Sequence, residues 1–525
     1  MLYKYLVLGL YFALLILIGY IASKRVKNIS DYYAGGKTMG FWGVAFSSRA
    51  TGESAWLLLG LTGLAATIGV KAFWAVVGEI IGVTICWLFM AKPFKRLTDK
   101  YDSLTIPDYL SSRFSSSGSM IRIISVVVLV VFFTIYISAQ IDATGSAFET
   151  FFNLNYYTGA ILGFVVVMAY ISFGGFLAVV WSDIFQGSMM FLTLLALPII
   201  GILSLPSLGI SSGLFSTLST INTGLLSVWG VGGFTLINFF EVLGLASIGI
   251  GFLGAPQVFV RFIAVKNTSE ISKGTIVAII FTIVTDSAAV LIGLIGRALF
   301  TEPGQDVVSI LGNGGQNVYP ILVETLLPAV IVGIYIAAIL AAIMSTVDSL
   351  IVVVSSAITR DFYQIFLNPN ATQKQLSKMS YKVTIIISLL ALAISIGVSI
   401  LSPTRTVFWF IVFGWSGVAC SFCPMMILSL SWKRYNAKGA MASMITGFLS
   451  VPFFKFVAVM LPVVGIYFTA VSEMLPSFIV SFCFGVVVTL QSSSKKTAPH
   501  TTINAIDESH IIHKPVSKQK RRVLL

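Results

Sequence analysis

Residues 47–60 read SSRATGESAWLLLG and place two charged side chains, Arg49 and Glu53, inside an otherwise apolar stretch. The flanking runs, TMGFWGVAF before it and LTGLAATIGV after it, carry no charge. A charge at the centre of a bilayer costs about 2.5–3.5 kcal/mol on insertion scales. Both charges therefore need a partner or a function, and their i, i+4 spacing places them on one face of a continuous helix.

The composition is that of a polytopic membrane protein. The chain of 525 residues is 57% hydrophobic and 10% charged, whereas soluble domains carry about 25% charge. All three histidines lie in the C-terminal tail, which excludes histidine catalysis and histidine-bound metals from the apolar region. With no GxxxxGK[ST] motif, an ATP-driven pump or a membrane enzyme is disfavoured. The CxxC formed by Cys420 and Cys423 is best interpreted as packing.

The fold class predicted is an all-α membrane protein with thirteen transmembrane helices, because apolar runs of about 20 residues mark membrane spans. The predicted domain covers residues 1–491, and a basic tail over 492–525 is predicted to be disordered and cytoplasmic. The predicted spans are 3–22, 40–69, 72–92, 119–151, 157–174, 178–204, 230–262, 274–297, 318–357, 381–401, 406–431, 439–462 and 468–491.

Lysine and arginine are distributed unevenly between alternate loops. Basic residues cluster after the first helix, near residues 92–113, near 261–273, near 360–382, near 433–438 and in the tail, while the opposite loops hold only Lys71, Arg297 and Arg405. The positive-inside rule places the N-terminus outside and the C-terminus in the cytoplasm, which requires an odd number of helices. The net charge of +13 then reflects topology and gives no indication of nucleic-acid binding. The tail either touches anionic lipid or is simply solvated.

Two predicted helices contain residues that weaken helices. RATGES interrupts the second, and GLASIGIGFLGAP (residues 244–256) interrupts the seventh. Glycine costs about 1 kcal/mol and proline about 3 in a helix interior. Paired interruptions at corresponding places in two halves point to a transporter's midplane site. With five helices from one interruption to the next, the second copy is inverted, and the repeats fall at about 40–204 and 230–431. Glycines that only pack helices together are the alternative.

Polar side chains also occur at membrane depth elsewhere. Ser345, Thr346 and Asp348 lie in the ninth predicted helix, and Asp183 lies inside the sixth. Hydroxyls offer oxygen ligands to a monovalent cation, or they hydrogen-bond between helices. An intramembrane carboxylate is a functional hypothesis by default. Further acidic candidates are Glu79, Asp142, Glu241 and Asp286.

From about residue 5 to 490 the sequence resembles the sodium/solute symporters, and within them the sodium/proline branch. The stretches that carry the resemblance are DYYAGGKTMG, WLLLGLTG, LTIPDYLSSRF, FFTIYISA, YISFGGFLAVVWSD, AAILAAIMSTVDS, SSAITRDFY and WKRYNAKGAMASMITG. The resemblance implies a leucine-transporter-type 5+5 inverted repeat with one extra N-terminal and two extra C-terminal helices.

The resemblance also implies site residues. The sodium ion would be bound by backbone oxygens of Ala50, Glu53 and Ala342 and by the hydroxyls of Ser345 and Thr346. Asp183 and Asp348 are implied at a second ion site or in ion coupling, and Asp348 would otherwise pair with a cation. The solute would lie between the two broken helices, against Ser54, Ala55, Trp56, Tyr136, Gln140, Phe252 and Pro256.

Three positions depart from the proline branch. The branch's Asp corresponds to Gly52, its Trp in the second broken helix to Ile248, and a neighbouring Gln to Ala255. The first departure bears on sodium affinity, and the other two bear on proline specificity.

Two interpretations of Arg49 and Glu53 stay open in the sequence. They form a buried ion pair or connect to Asp183 or Asp348. Alternatively, the helix breaks between them, with Glu53 near sodium and Arg49 at the cytoplasmic gate or on a substrate carboxylate.

The expected function is sodium-coupled uptake of a small organic solute across the plasma membrane, and L-proline is the first choice of solute. No cofactor beyond the coupling sodium ion is expected. The expected partners are the solute, sodium and the bilayer. Another amino acid, a small carboxylate, proton coupling through Asp183 or Glu53, and a solute sensor are the alternatives.

Overall fold

The computed structural model describes residues 2–25, 35–171 and 175–493. Helices make up the described part, in which the only extended pairing is an isolated parallel bridge between Met39 and Val265. The predicted tail lies outside the described residues from position 494 onward.

In its first half, the described part of the chain contains ten α-helices. Two π-helical turns (Trp56–Leu61 and Cys86–Met90) continue α2 and α4. The bounds are α1 (Leu2–Ser23), α2 (Phe41–Ala55), α3 (Thr62–Ile68), α4 (Phe73–Ile85), α5 (Ala91–Lys100), α6 (Ile106–Arg113), α7 (Gly118–Phe152), α8 (Tyr156–Ile171), α9 (Gly175–Ser204) and α10 (Leu214–Ile221).

The second half follows with eleven more. A 3₁₀ segment (Ile248–Leu253) separates α11 from α12, and a π-helix (Ala357–Leu367) extends α16. The bounds are α11 (Leu236–Ser247), α12 (Pro256–Ala264), α13 (Thr268–Phe300), α14 (Val307–Leu311), α15 (Val318–Leu326), α16 (Ala329–Ser356), α17 (Gln373–Leu401), α18 (Val407–Ser431), α19 (Ala437–Pro452), α20 (Gly465–Val471) and α21 (Met474–Ser493).

Eleven helical segments of the described chain are long and apolar enough to cross a membrane. One of them, Phe41–Lys100, is 60 residues long, and Gly69 turns the chain inside it with a φ of 71°. The apolar helix α8 is shorter than these eleven. The chain is therefore a multi-span membrane protein, and the two interrupted spans expected near residues 50 and 250 are both present.

The ninth span was predicted too long. Residues 318–357 were expected to form one helix, but α15 ends at Leu326 and α16 begins at Ala329. Pro328 explains the separation, because a residue before proline is disfavoured in helical geometry. Leu327 accordingly adopts an extended conformation, with φ −121° and ψ 144°.

The interrupted helices lie at the centre of the packing. Helix α2 packs against α9, α13 and α16, and the 3₁₀ segment packs against α4 and α18. Gly249 allows the closest of these approaches, since a Cβ there would lie 1.9 Å from the carbonyl oxygen of Gly78. Polar side chains on α2, α4, α9, α13 and α16 meet across these contacts.

Candidate functional site

The first interruption falls at Ser54, whose φ of 43° and ψ of −169° lie outside the helical region. Side chains replace the hydrogen bonds that this turn loses. The backbone N–H of Ala55 donates to the Gln140 side chain at 3.2 Å, and the indole of Trp56 donates to the carbonyl of Gly52 at 3.0 Å. The alternative in which the helix breaks between Arg49 and Glu53 is therefore wrong, because both residues precede the interruption on α2.

The second interruption is the 3₁₀ segment Ile248–Leu253, after which Pro256 starts α12. Two side chains of α18 bind its carbonyl groups. Trp415 Nε1 donates to Ile248 at 3.0 Å, and Cys423 Sγ donates to Gly251 at 3.2 Å. The CxxC cysteine Cys423 therefore has a packing and hydrogen-bonding role, in agreement with the interpretation of that motif.

Four of the five predicted sodium-site residues meet where α2 crosses α16. Ser345 Oγ lies 3.0 Å from the carbonyl oxygen of Ala50 and 3.2 Å from that of Ala342. Thr346 Oγ1 lies 3.1 Å from the same Ala342 oxygen. Thr346 also reaches the carbonyl of Thr51 at 3.1 Å. Thr51 was missed in the sequence, where nothing distinguishes its carbonyl from its neighbours'.

Glu53, the fifth predicted member, has a different side-chain environment. Its carboxylate accepts from Arg49, so the ion-pair interpretation of these two residues is confirmed. The same guanidinium nitrogen also bridges to Glu79 of α4. Asp286 of α13 completes a cluster in which one oxygen each of Glu53, Glu79 and Asp286 lies within 4.8 Å of the others. We call these three side chains the carboxylate cluster.

The carboxylate cluster contains more acidic side chains than basic partners. All three acids are fully buried, and each keeps one carboxylate oxygen without a hydrogen bond. Among the described residues, Arg49 is the basic side chain paired with them, and Asp286 takes part in no ion pair. Uncompensated buried charge is costly, so Arg49 alone does not support three ionised carboxylates, and the open oxygens can take up either a proton or a cationic ligand.

Asp183 is buried against Arg261 of α12, which the loop count had assigned to a cytoplasmic loop. Arg261 is 1% exposed and donates to Asp183 Oδ2 at 3.1 Å. It also donates to Ser47 at 3.0 Å and to Thr51 at 2.8 Å. A guanidinium group thus lies where the second ion was expected, and it connects Asp183 to the crossing of α2 and α16.

Asp348, the other residue implied in ion coupling, accepts from Ser349 at 3.2 Å. Ser349 in turn is bound by Arg261. Both predicted coupling carboxylates therefore border one network around Arg261. The role of Arg261 could not be predicted from the sequence, because only the packing of α12 against its neighbours brings it to Asp183.

A small cavity lies between the two interruptions. Trp56, Tyr136 and Phe252 of the predicted solute site line it. The other lining residues are Gly52, Glu79, Ile248, Ile411, Val412 and Trp415.

The remaining predicted solute residues lie behind these walls. Gln140 holds the N–H of Ala55, and the hydroxyl of Ser54 lies 3.5 Å from that of Tyr136. Pro256 begins α12. These four residues, absent from the cavity lining, shape the backbone around it. Glu79 and Trp415 are lining residues that the solute prediction missed.

Aromatic rings separate this cavity from a larger vestibule. Trp56 packs edge-on against Phe408, with ring centroids 6.2 Å apart. Phe408 lines the vestibule, together with Lys71, Glu241 and Trp409. The acidic candidate Glu241 pairs with Lys71 there, so it belongs to the mouth of the vestibule.

Comparison with known proteins places this arrangement in a family. The model of the sodium:solute symporter family matches residues 32–447. An osmoregulated proline transporter of Bacillus subtilis is 31% identical over 502 residues, covering 95% of this chain and 97% of the relative. The sodium/proline symporter of Escherichia coli is 33% identical over 442 residues, covering 84% of this chain and 85% of the relative.

Solved structures support the fold. A Na⁺-coupled sialic acid symporter, in a substrate-bound outward-open state, matches with a TM-score of 0.75 at 18% identity, covering 95% of this chain and 99% of that one. A nucleobase-cation-symport-1 family transporter matches with a TM-score of 0.50 at 12% identity, over 89% and 95% of the two chains. The structural neighbours are transporters of the leucine-transporter fold. The chain belongs to the sodium:solute symporter family, whose members use sodium as the coupling ion, and it is a transporter and not an enzyme.

Proposed function

We propose that this protein takes up L-proline, driven by the sodium gradient, by alternating access around the crossing of α2 and α16. The observation that carries the proposal is the convergence of four oxygen-bearing residues there: Ala50, Ala342, Ser345 and Thr346. Neutral carbonyl and hydroxyl oxygens suit a hard monovalent cation, since such ions bind oxygen ligands. The Thr51 carbonyl is a further candidate ligand. Glu53 would contribute through its backbone oxygen alone, because its carboxylate belongs to Arg49.

In this mechanism sodium orders the interrupted backbone that also borders the solute cavity. Sodium bound between α2 and α16 would fix residues 50–55, and this segment leads directly to Trp56 in the cavity wall. The ion thereby raises affinity for the solute, and thermodynamic linkage requires the solute to raise affinity for sodium by the same factor. Asp183, Asp348 and Arg261 would form the coupling network on the other side of the ion.

The choice of L-proline is supported by two relatives whose names state proline transport at 31% and 33% identity. The cavity is small and lined mainly by aromatic and aliphatic side chains, which suits a compact ring. Ile248 and Trp415 both line it, so the bulk removed by Ile248 in place of the branch's Trp is partly supplied from α18. Another amino acid or a small carboxylate is the alternative solute.

We also propose thirteen membrane spans in a 5+5 inverted repeat, over about 40–204 and 230–431, within a transmembrane domain at 1–491. The count follows if Phe41–Lys100 is divided at Gly69 and α8 is added to the eleven long segments. The N-terminus would lie outside and the tail from residue 492 inside, as the positive-inside rule predicts.

Uptake into proteoliposomes tests the function. Labelled L-proline is supplied with an inward sodium gradient, with choline replacing sodium in the control, and unlabelled amino acids and carboxylates compete. Sodium-dependent accumulation blocked by unlabelled proline is the expected result. Sodium-dependent uptake of another solute would contradict only the choice of proline as the solute. Uptake driven by a proton gradient in choline would contradict sodium coupling. Binding of the solute without accumulation would indicate a sensor.

A further inference from the structure

Glu79 is the acidic residue in the wall of the solute cavity, and neither the family resemblance nor any relative's name assigns it a role. It is fully buried on α4. One of its carboxylate oxygens accepts from Arg49, while the other, Oε2, has no hydrogen bond. An unsatisfied buried carboxylate oxygen costs free energy until a donor reaches it. Since Glu79 borders the cavity, a ligand in the cavity can supply that donor.

The surroundings of Glu79 favour a positively charged donor. Arg49 is shared between Glu53 and Glu79 through a single nitrogen, so one guanidinium group faces three carboxylates. Within the described chain, Asp286 has no ionic partner and lies in the same cluster. A cation bound at Glu79 would add a second positive group beside the three acids, and it would allow a further carboxylate to stay ionised while buried.

Four aromatic side chains share the wall with Glu79 and with aliphatic residues. Trp56, Tyr136, Phe252 and Trp415 line the cavity. The Trp415 ring lies 6.3 Å from that of Tyr136 and 5.1 Å from that of Phe252. Aromatic faces attract organic cations, with Trp the strongest. Arg49 already lies 4.8 Å from the Phe252 ring centroid, so Trp56, Tyr136 and Trp415 are the rings left to receive a ligand.

We propose that Glu79, together with these three rings, recognises an organic ammonium group, so that the solute is a compact amine or zwitterion and not a nitrogen-free carboxylate. The inference rests on the proposed function, and it deepens that function by naming the charge that the cavity selects. It also gives Arg49 a different role from carboxylate binding, because its guanidinium is already engaged by Glu53 and Glu79.

Three compounds of the same ring size test the proposal on the full-length purified protein. L-proline carries an ammonium and a carboxylate, pyrrolidine carries the ammonium alone, and cyclopentanecarboxylate carries the carboxylate alone. The readout is the rise in apparent unfolding temperature with ligand concentration in saturating sodium, because a ligand that binds the native state stabilises it. This readout needs no transport.

Pyrrolidine is expected to raise the unfolding temperature and cyclopentanecarboxylate to leave it unchanged. In Glu79→Gln, the pyrrolidine concentration needed for the same rise in unfolding temperature is expected to be about tenfold higher or more. This is the effect of losing one charge-assisted hydrogen bond. Glu302→Gln, which alters an exposed carboxylate, is the matched control and should behave as wild type. Because Glu79→Gln removes a charge from an overcrowded cluster, it should fold.

Stabilisation by cyclopentanecarboxylate, no stabilisation by pyrrolidine, or an unchanged pyrrolidine response in Glu79→Gln would each overturn the proposal. A failure of the proposed function would give a different result from a failure of the ammonium site. If pyrrolidine binds through Glu79 but no solute accumulates under a sodium gradient, the ammonium site stands and sodium-coupled uptake does not.

Discussion

Arg49 lies at the point where α2 meets the carboxylate cluster, and its charge is what allows Glu53 and Glu79 to be buried. The pairing with Glu53 could be predicted, because i, i+4 residues share a helix face. The bridge to Glu79 could not, since Glu79 reaches Arg49 only through the packing of α4. Asp286 arrives from yet another helix, and no local pattern in the sequence connects these positions.

Replacing Arg49 by Ala should destabilise the protein strongly, because it leaves buried carboxylates without their counter-ion. Breaking one side of a buried pair costs about 3–5 kcal/mol. Adding Glu53→Ala to Arg49→Ala should restore part of that loss, since one uncompensated charge is removed. Apparent unfolding temperatures and uptake rates of the two single mutants and the double mutant check this. Additive effects would contradict the ion pair.

At the scale of elements, the two interruptions differ in how well the sequence predicts them. The second lies within residues 244–256, which contain four glycines and a proline. These residues weaken a helix directly, and the interruption was predicted where it occurs. The first breaks at Ser54 and not at Gly52, because Gln140 of α7 and the Trp56 indole hold the displaced backbone. Such tertiary contacts leave no local signal in the sequence.

Gly249→Ala should destabilise the junction of the 3₁₀ segment with α4. The new Cβ would lie 1.9 Å from the carbonyl oxygen of Gly78, so the segment must move, at a cost of about 1–3 kcal/mol for overpacking. The unfolding temperature in detergent measures the effect. Gly397→Ala is the matched control, since nothing lies within 4 Å of its Cβ and alanine favours the helix. Equal stability of the two variants would show that the close approach is not required.

At the scale of the whole molecule, the loop charges predict the orientation. The structure shows that some of the basic residues counted as loop charges are buried inside the protein. Arg261, counted among the cytoplasmic loop residues, is buried on α12, and Lys95 is buried as well. Hydropathy and charge identify which segments enter the membrane, but they do not tell a buried functional cation from a loop cation. The remaining basic residues still favour one side.

A C-terminal green fluorescent protein fusion should fluoresce, and alkaline phosphatase fused at the same place should be inactive, because the tail is predicted to be cytoplasmic. Phosphatase fused after residue 404, between α17 and α18, should be active. An active phosphatase at the C-terminus would contradict the predicted orientation.

The central claim is that sodium binding between α2 and α16 drives solute uptake, and one measurement tests it most directly: the sodium concentration that half-activates L-proline uptake in proteoliposomes, in wild type, Ser345→Ala and Thr346→Ala. Each of these variants removes a hydroxyl at the crossing. Thr446→Ala serves as control, because its hydroxyl bonds only within α19. The half-activating sodium concentration should rise several-fold in both site variants and stay unchanged in the control. Such a rise corresponds to a loss of about 1 kcal/mol of sodium-binding free energy for each lost ligand. An unchanged sodium dependence in both site variants would contradict the account.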